Sequence, residues 1–211
     1  MQDAWAARNL SVIRDLMERS ALYRRALAPV SFAVGAAGTA AGGLGWLLHL
    51  DGPRGFALYW MTVACLGLAT ALGIIRRQAL RDSEPFWSPP ARRVAAAMAP
   101  ALLAGLLAGL LLALPPWREP LHAWWLPAVW MILFGCASHA AGFFMPRGMK
   151  LFAALFLVGG ALFATYVTWR SYAAGMPSLR VAHLLMGATF GGLHLLYGAY
   201  LAATEKRTPT A

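Results

Sequence analysis

Six apolar runs, each about as long as a bilayer is thick, constrain this 211-residue chain more than any motif in it. They cover Pro29–Leu50, Phe56–Ile75, Val94–Leu114, Leu121–Phe144, Leu151–Trp169 and Val181–Ala203. A spanning helix needs about 20 apolar residues to cross about 30 Å of hydrocarbon. Within that layer the helix must satisfy its own backbone N–H and C=O groups. The runs therefore predict an all-α integral membrane protein with six transmembrane helices. Composition agrees, with 60% hydrophobic and 12% charged residues, where a globular chain has about 45–50% and about 25%. That balance excludes a soluble enzyme, a disulfide-stapled secreted module and a disordered tail. The first run is too long for a signal-peptide core and is expected to stay as the first span. Cys65 and Cys136 both fall inside runs, where cysteine serves as a small apolar residue.

The net charge of +10 would suggest nucleic acid in a soluble chain, but the positions of the cations argue otherwise. On one side of the predicted bilayer lie Arg8, Arg14, Arg19, Arg24, Arg25, Arg76, Arg77, Arg81, Arg92, Arg93, Arg147, Lys150, Lys206 and Arg207. The other side holds only Arg54, Arg118, Arg170 and Arg180. Basic residues are retained in the cytoplasm, so both termini are expected inside and the basicity sets orientation. No nucleic-acid partner is expected. Trp46, Tyr59, Trp60, Trp117, Trp124, Trp125, Trp169 and Tyr172 gather at the opposite boundary and read as an interfacial aromatic belt. Tyr197 and Tyr200 read as anchors at the inner one. The expected compartment is the inner, cytoplasmic membrane.

Residues 1–27 form a separate element, followed by the six-helix domain over 28–203 and a short cytoplasmic tail over 204–211. At 100° per residue, Trp5, Val12, Ile13, Leu16, Tyr23 and Leu27 share one arc. Arg14, Asp15, Glu18 and Arg25 occupy the other. Such an amphipathic helix lies on an anionic inner leaflet or offers a docking face to a cytoplasmic protein. Either surface would use Trp5, Arg14, Leu16, Glu18 and Arg25.

All eight acidic residues lie outside the runs or at their ends, and no Lys or Arg sits deep within one. Intramembrane charges mark ion pathways and proton relays. Their absence from the sequence argues against a proton- or sodium-coupled transporter, a voltage sensor and an intramembrane aspartyl protease. Phosphate-loop, HExxH, CxxC and nucleophile-elbow patterns are also absent. No catalytic residue is assigned, and the reading leans away from an enzyme.

Glycine and histidine form the remaining pattern. Gly35, Gly38, Gly42, Gly45 and His49 follow spacings of 3, 4, 3 and 4 along the first run. His183, Gly187, Gly191, His194 and Gly198 follow spacings of 4, 4, 3 and 4 along the last. Ala128, Gly135, His139 and Gly142 make a weaker stripe in the fourth, and Gly105 and Gly109 lie in the third. Small residues let helices approach closely in lipid, so the glycines are expected at helix contacts, within the chain or in a homo-oligomer. The histidines are read first as packing groups without a cofactor. Their depth leaves two alternatives: an outer metal site from His49, His122 and His183, and an axial haem pair or polar pair from His139 and His194. Pro127 either kinks the fourth span or begins it, leaving His122 in a loop. Three functions fit these features. They are an accessory, regulatory or sensory membrane subunit, a passive channel for small neutral solutes, and a His-ligated metal or haem protein.

Overall fold

The computed structural model describes residues 26–114, 120–145, 148–173 and 175–204, and every element among them is helical. Helices α1 (Ala26–Leu47), α2 (Pro53–Arg81), α3 (Pro89–Ala113), α4 (Pro120–Ala141), α5 (Met149–Ala173) and α6 (Leu179–Thr204) are each long and apolar enough to cross a membrane. Of the N-terminal surface, Trp5, Arg14, Leu16, Glu18 and Arg25 lie outside the described residues, as does most of the tail.

Hydropathy marks where the bilayer is, while backbone hydrogen bonding decides where a helix stops. The second apolar run ends at Ile75, yet α2 continues to Arg81, because Arg and Gln are good helix formers outside the hydrocarbon. Only Asp82–Ser88 separates α2 from α3, and Pro89 and Pro90 open α3, where a missing N–H costs little. Both Pro100 and Pro127 sit inside helices. Pro127 is fully buried and neither starts α4 nor ends it, so His122 belongs to the first turn of that helix.

Two helix ends close through the same motif. Glu84 N–H bonds Ala79 O at 2.9 Å and Ser83 N–H reaches Leu80 O, while Leu50 N–H reaches Gly45 O and His49 N–H reaches Trp46 O. These are the paired bonds of a Schellman ending. It places one residue in the left-handed region, here Ser83 at φ 54° and His49 at φ 53°. Glycine is the usual occupant, since a Cβ there costs about 1–2 kcal/mol. His49→Gly is therefore expected to stabilise the protein by about 1 kcal/mol, read as a higher unfolding temperature in detergent. A lower temperature would show that the bond from His49 Nδ1 to Leu47 O (2.8 Å) outweighs the backbone strain.

The core is divided along the bundle axis. At the end bearing the α1–α2 and α5–α6 turns, Ala41, Phe56, Trp60, Leu112, Trp124, Val167, Leu179 and Met186 cluster, so all six helices contribute. At the opposite end, Leu27, Met131, Met149, Phe152, Phe156, Tyr197 and Leu201 form a second cluster drawn from α1, α4, α5 and α6. Helices α2 and α3 add nothing to it.

Candidate functional site

The glycine stripes of α1 and α6 meet. A Cβ on Gly42 would lie 2.6 Å from Gly187 Cα and 2.8 Å from His183 O. One on Gly38 would lie 3.1 Å from Gly191 Cα, and one on Gly35 2.7 Å from Leu195 N. Gly191 is covered by Thr39, Gly198 by the Phe32 ring, and Gly45 by the His183 imidazole. The two backbones are in contact from Gly35 to Gly42, about two turns, an approach that the missing Cβ atoms permit. Because the stripes face each other inside one chain, neither is presented to a second copy. The α6 register has a visible cause. Residues Gly187–Gly192 are π-helical, and a π turn holds more residues than an α turn. Positions spaced by four then stay on one line instead of drifting round the helix. The fourth-span stripe faces α5: a Cβ on Gly135 would stand 3.0 Å from Ala153 O, and one on Gly160 3.1 Å from Ala128 O. On α3, Gly105 and Gly109 lie under the Trp130 indole, whose N–H donates to Gly105 O at 2.7 Å.

His183 stands where the two stripes begin and is fully buried. The Trp60 indole N–H donates to its Nδ1 at 3.0 Å. An indole nitrogen can only donate, so Nδ1 must be the unprotonated nitrogen. Nε2 then carries the proton and donates to Leu50 O at 3.1 Å. The ring is thus a neutral imidazole of one tautomer, enclosed by Phe56, Tyr59 and Trp60 with centroids 4.9, 5.3 and 6.1 Å away. Around it the helix ends are bound together. Tyr59 OH donates to Ala41 O at 2.6 Å, and Arg180 Nε donates to Trp46 O at 2.7 Å with its guanidinium over the Trp46 ring. Ser178 caps α6 through Arg180 N–H and donates to Asp51 Oδ1 at 3.0 Å. The Trp124 indole N–H donates to Pro177 O at 3.0 Å.

These contacts bear directly on the outer histidines. His183 has no free lone pair with which to bind a metal. His49 is exposed, with its Nδ1 on Leu47 O. His122 lines a separate apolar recess of about 390 Å³ with Leu111, Trp125 and Val129. Among the described residues, no three His, Cys, Asp or Glu side chains stand close enough to hold a metal ion. His49, His122 and His183 thus stand in separate surroundings, and no metal triad is assembled among the described residues.

The two inner histidines differ in their surroundings. His139 is exposed and meets the edge of Phe143. His194 donates from Nδ1 to Phe190 O, at the end of the π segment, and lies among Phe134, Phe152 and Phe156 at 5.0–5.9 Å. Tyr197 is no interfacial anchor. It is 6% exposed, stacks on Phe152 at 4.5 Å, and its hydroxyl has no hydrogen-bond partner among the described residues. Trp60 and Trp124 also leave the aromatic belt for the core, at 3% and 2% exposure, since each N–H finds an acceptor there. Trp169 and Tyr172 remain exposed. Removing an orphan hydroxyl from an apolar site is neutral or favourable, so Tyr197→Phe should raise stability by about 1 kcal/mol. A fall of that size in a denaturation series would mean that the hydroxyl has a partner in the membrane.

No family model, curated protein or solved structure matches the chain.

Proposed function

We propose that the chain is a multi-pass subunit of the cytoplasmic membrane that supports, regulates or senses for a partner and has no catalysis of its own. The observation carrying this reading is the use made of polar side chains inside the spans. Tyr59, Trp60, Trp124, Trp130 and His183 each bond another helix or its adjoining turn. They fix helix against helix and do not converge on a recess that could hold a substrate. Both termini are cytoplasmic in this reading, supported by fourteen basic residues on one side against four on the other. The amphipathic segment of residues 1–27 is the partner's docking face.

Two experiments test it. In a background with Cys65 and Cys136 replaced by alanine, a membrane-impermeant maleimide should label Tyr172→Cys in intact cells and Ser83→Cys only after lysis. The reverse pattern overturns the orientation. Affinity capture from native membranes should recover a stoichiometric protein with the wild type and lose it with Arg14→Ala/Glu18→Ala/Arg25→Ala at equal insertion. Wild type recovered alone overturns the subunit reading. Stoichiometric metal or a haem spectrum in protein purified without a His tag would replace it with the His-ligated reading.

A further inference from the structure

The α2–α3 hairpin carries a second interaction surface, far from the His183 junction. Between Trp60 and Ala79 no residue of α2 is buried, and between Ala91 and Gly105 none of α3 is. Leu66, Leu68 and Leu103 are each more than half exposed. A Cβ on Gly73 would find no atom within 4 Å. At this level α1, α4, α5 and α6 close a core of their own. The hairpin therefore stands beside that core with apolar surface that no described residue covers, on a length of helix suited to lipid chains or another protein.

The tip of the same hairpin decides between those occupants. Arg76, Arg77 and Arg81 end α2 and Arg92 and Arg93 open α3, all exposed. Arg77 lies five residues before Asp82 and Arg93 five after Ser88, so the two arms bring their cations to one level, about 7–8 Å from the turn at about 1.5 Å per residue. Against five arginines stand two carboxylates, and Asp82 already accepts from Gln78 Nε2 at 2.9 Å. No ion pair involves these arginines among the described residues. Trp87, 56% exposed, sits in the turn, a side chain suited to headgroup level. Guanidinium forks favour phosphate diesters through paired hydrogen bonds. A phosphate bound at this level on a bare apolar helix fits one molecule that has both parts.

We propose that the outlying half of the α2–α3 hairpin binds an acidic glycerophospholipid, its phosphate held by Arg76, Arg77, Arg92 and Arg93 and its acyl chains laid on the uncovered flank. This rests on the chain spanning a bilayer and not on which face is cytoplasmic. The test uses full-length protein in nanodiscs of equimolar phosphatidylglycerol and phosphatidylcholine, with the lipids retained on delipidation counted by native mass spectrometry. Phosphatidylglycerol should be enriched at least about fivefold. Arg76→Gln/Arg77→Gln/Arg92→Gln/Arg93→Gln should return the ratio to that of the bulk. Arg54→Gln/Arg170→Gln, at the opposite end, should leave the enrichment intact, and so should millimolar inorganic phosphate. No enrichment, or enrichment unchanged in the fourfold variant, overturns the proposal. Loss with the distal pair would reduce it to net charge, and displacement by phosphate would reduce it to a simple anion site. Equal unfolding temperatures of the variants in phosphatidylcholine alone show that folding is not the cause. Because the lipid is counted on both faces, the result is independent of the maleimide pattern.

Discussion

Gly42→Ala should weaken the protein by about 2–3 kcal/mol, the upper part of the range for overpacked sites, while Gly43→Ala should be neutral or slightly stabilising. The two positions are chain neighbours, with the same helix propensity and the same side-chain change. They differ in what a methyl group meets. At Gly42 it would meet the backbone of Gly187 at 2.6 Å and His183 O at 2.8 Å; at Gly43 it would meet nothing within 4 Å. Backbone cannot rotate aside as a side chain can. The helices would have to part by roughly 1 Å to restore ordinary carbon–carbon spacing, and that gap would loosen the contact along the whole stripe. At Gly43 only the propensity gain of alanine remains, up to about 1 kcal/mol. Unfolding of both variants in one detergent, followed by tryptophan fluorescence, measures the difference. Equal behaviour would mean that α1 and α6 are not in backbone contact.

The second large effect is expected at the His183 junction. Trp60→Phe keeps most of the ring volume and removes the only donor to Nδ1 among the described residues. A buried acceptor left unpaired costs about 1–3 kcal/mol. Interhelical hydrogen bonds in membrane proteins often measure less, about 0.6 kcal/mol on average, because the inserted unfolded chain finds other partners. Here His183 is fully buried and its other nitrogen is held by Leu50 O, so it cannot turn to a new partner, and the upper part of the range is expected. His183→Leu strands two groups, the Trp60 N–H and Leu50 O, and should cost more. The double variant removes donor and acceptor together, so its loss should fall short of the sum by about 1 kcal/mol. Strict additivity would show that the two rings touch without bonding.

The spans were legible in the sequence because one physical demand, about 20 apolar residues per crossing, acts along the chain itself. Depth was legible for the same reason: His49 and His183 do lie at one end of the bundle. Direction around each helix was not. It depends on which neighbour packs where, and so three histidines of similar depth could be imagined as a site although they stand in separate surroundings. The same blindness placed Trp60 and Trp124 in the interfacial belt. Composition locates an indole near a boundary but does not say whether its N–H faces water or a carbonyl on the next helix. One signal in the sequence carried more than was drawn from it. Spacings of 3, 4, 3 and 4 in the first run average close to the α-helical turn, whereas 4 and 4 from His183 to Gly191 exceed it. A straight α-helix drifts by about 40° for each spacing of four, and the π segment at Gly187–Gly192 offsets that drift and brings the three residues closer to one line.

The meeting of the first helix with the last also sets a timetable for synthesis. Gly187 is made about 145 residues after Gly42, roughly 7–30 s later at about 5–20 residues per second. Throughout that interval the α1 groove has no α6 to fill it, and lipid or a chaperone must occupy it. The bundle can be finished only when the last span arrives and expels that occupant. A ribosome that stalls before Val181 would release a chain with the α1–α6 seam still open.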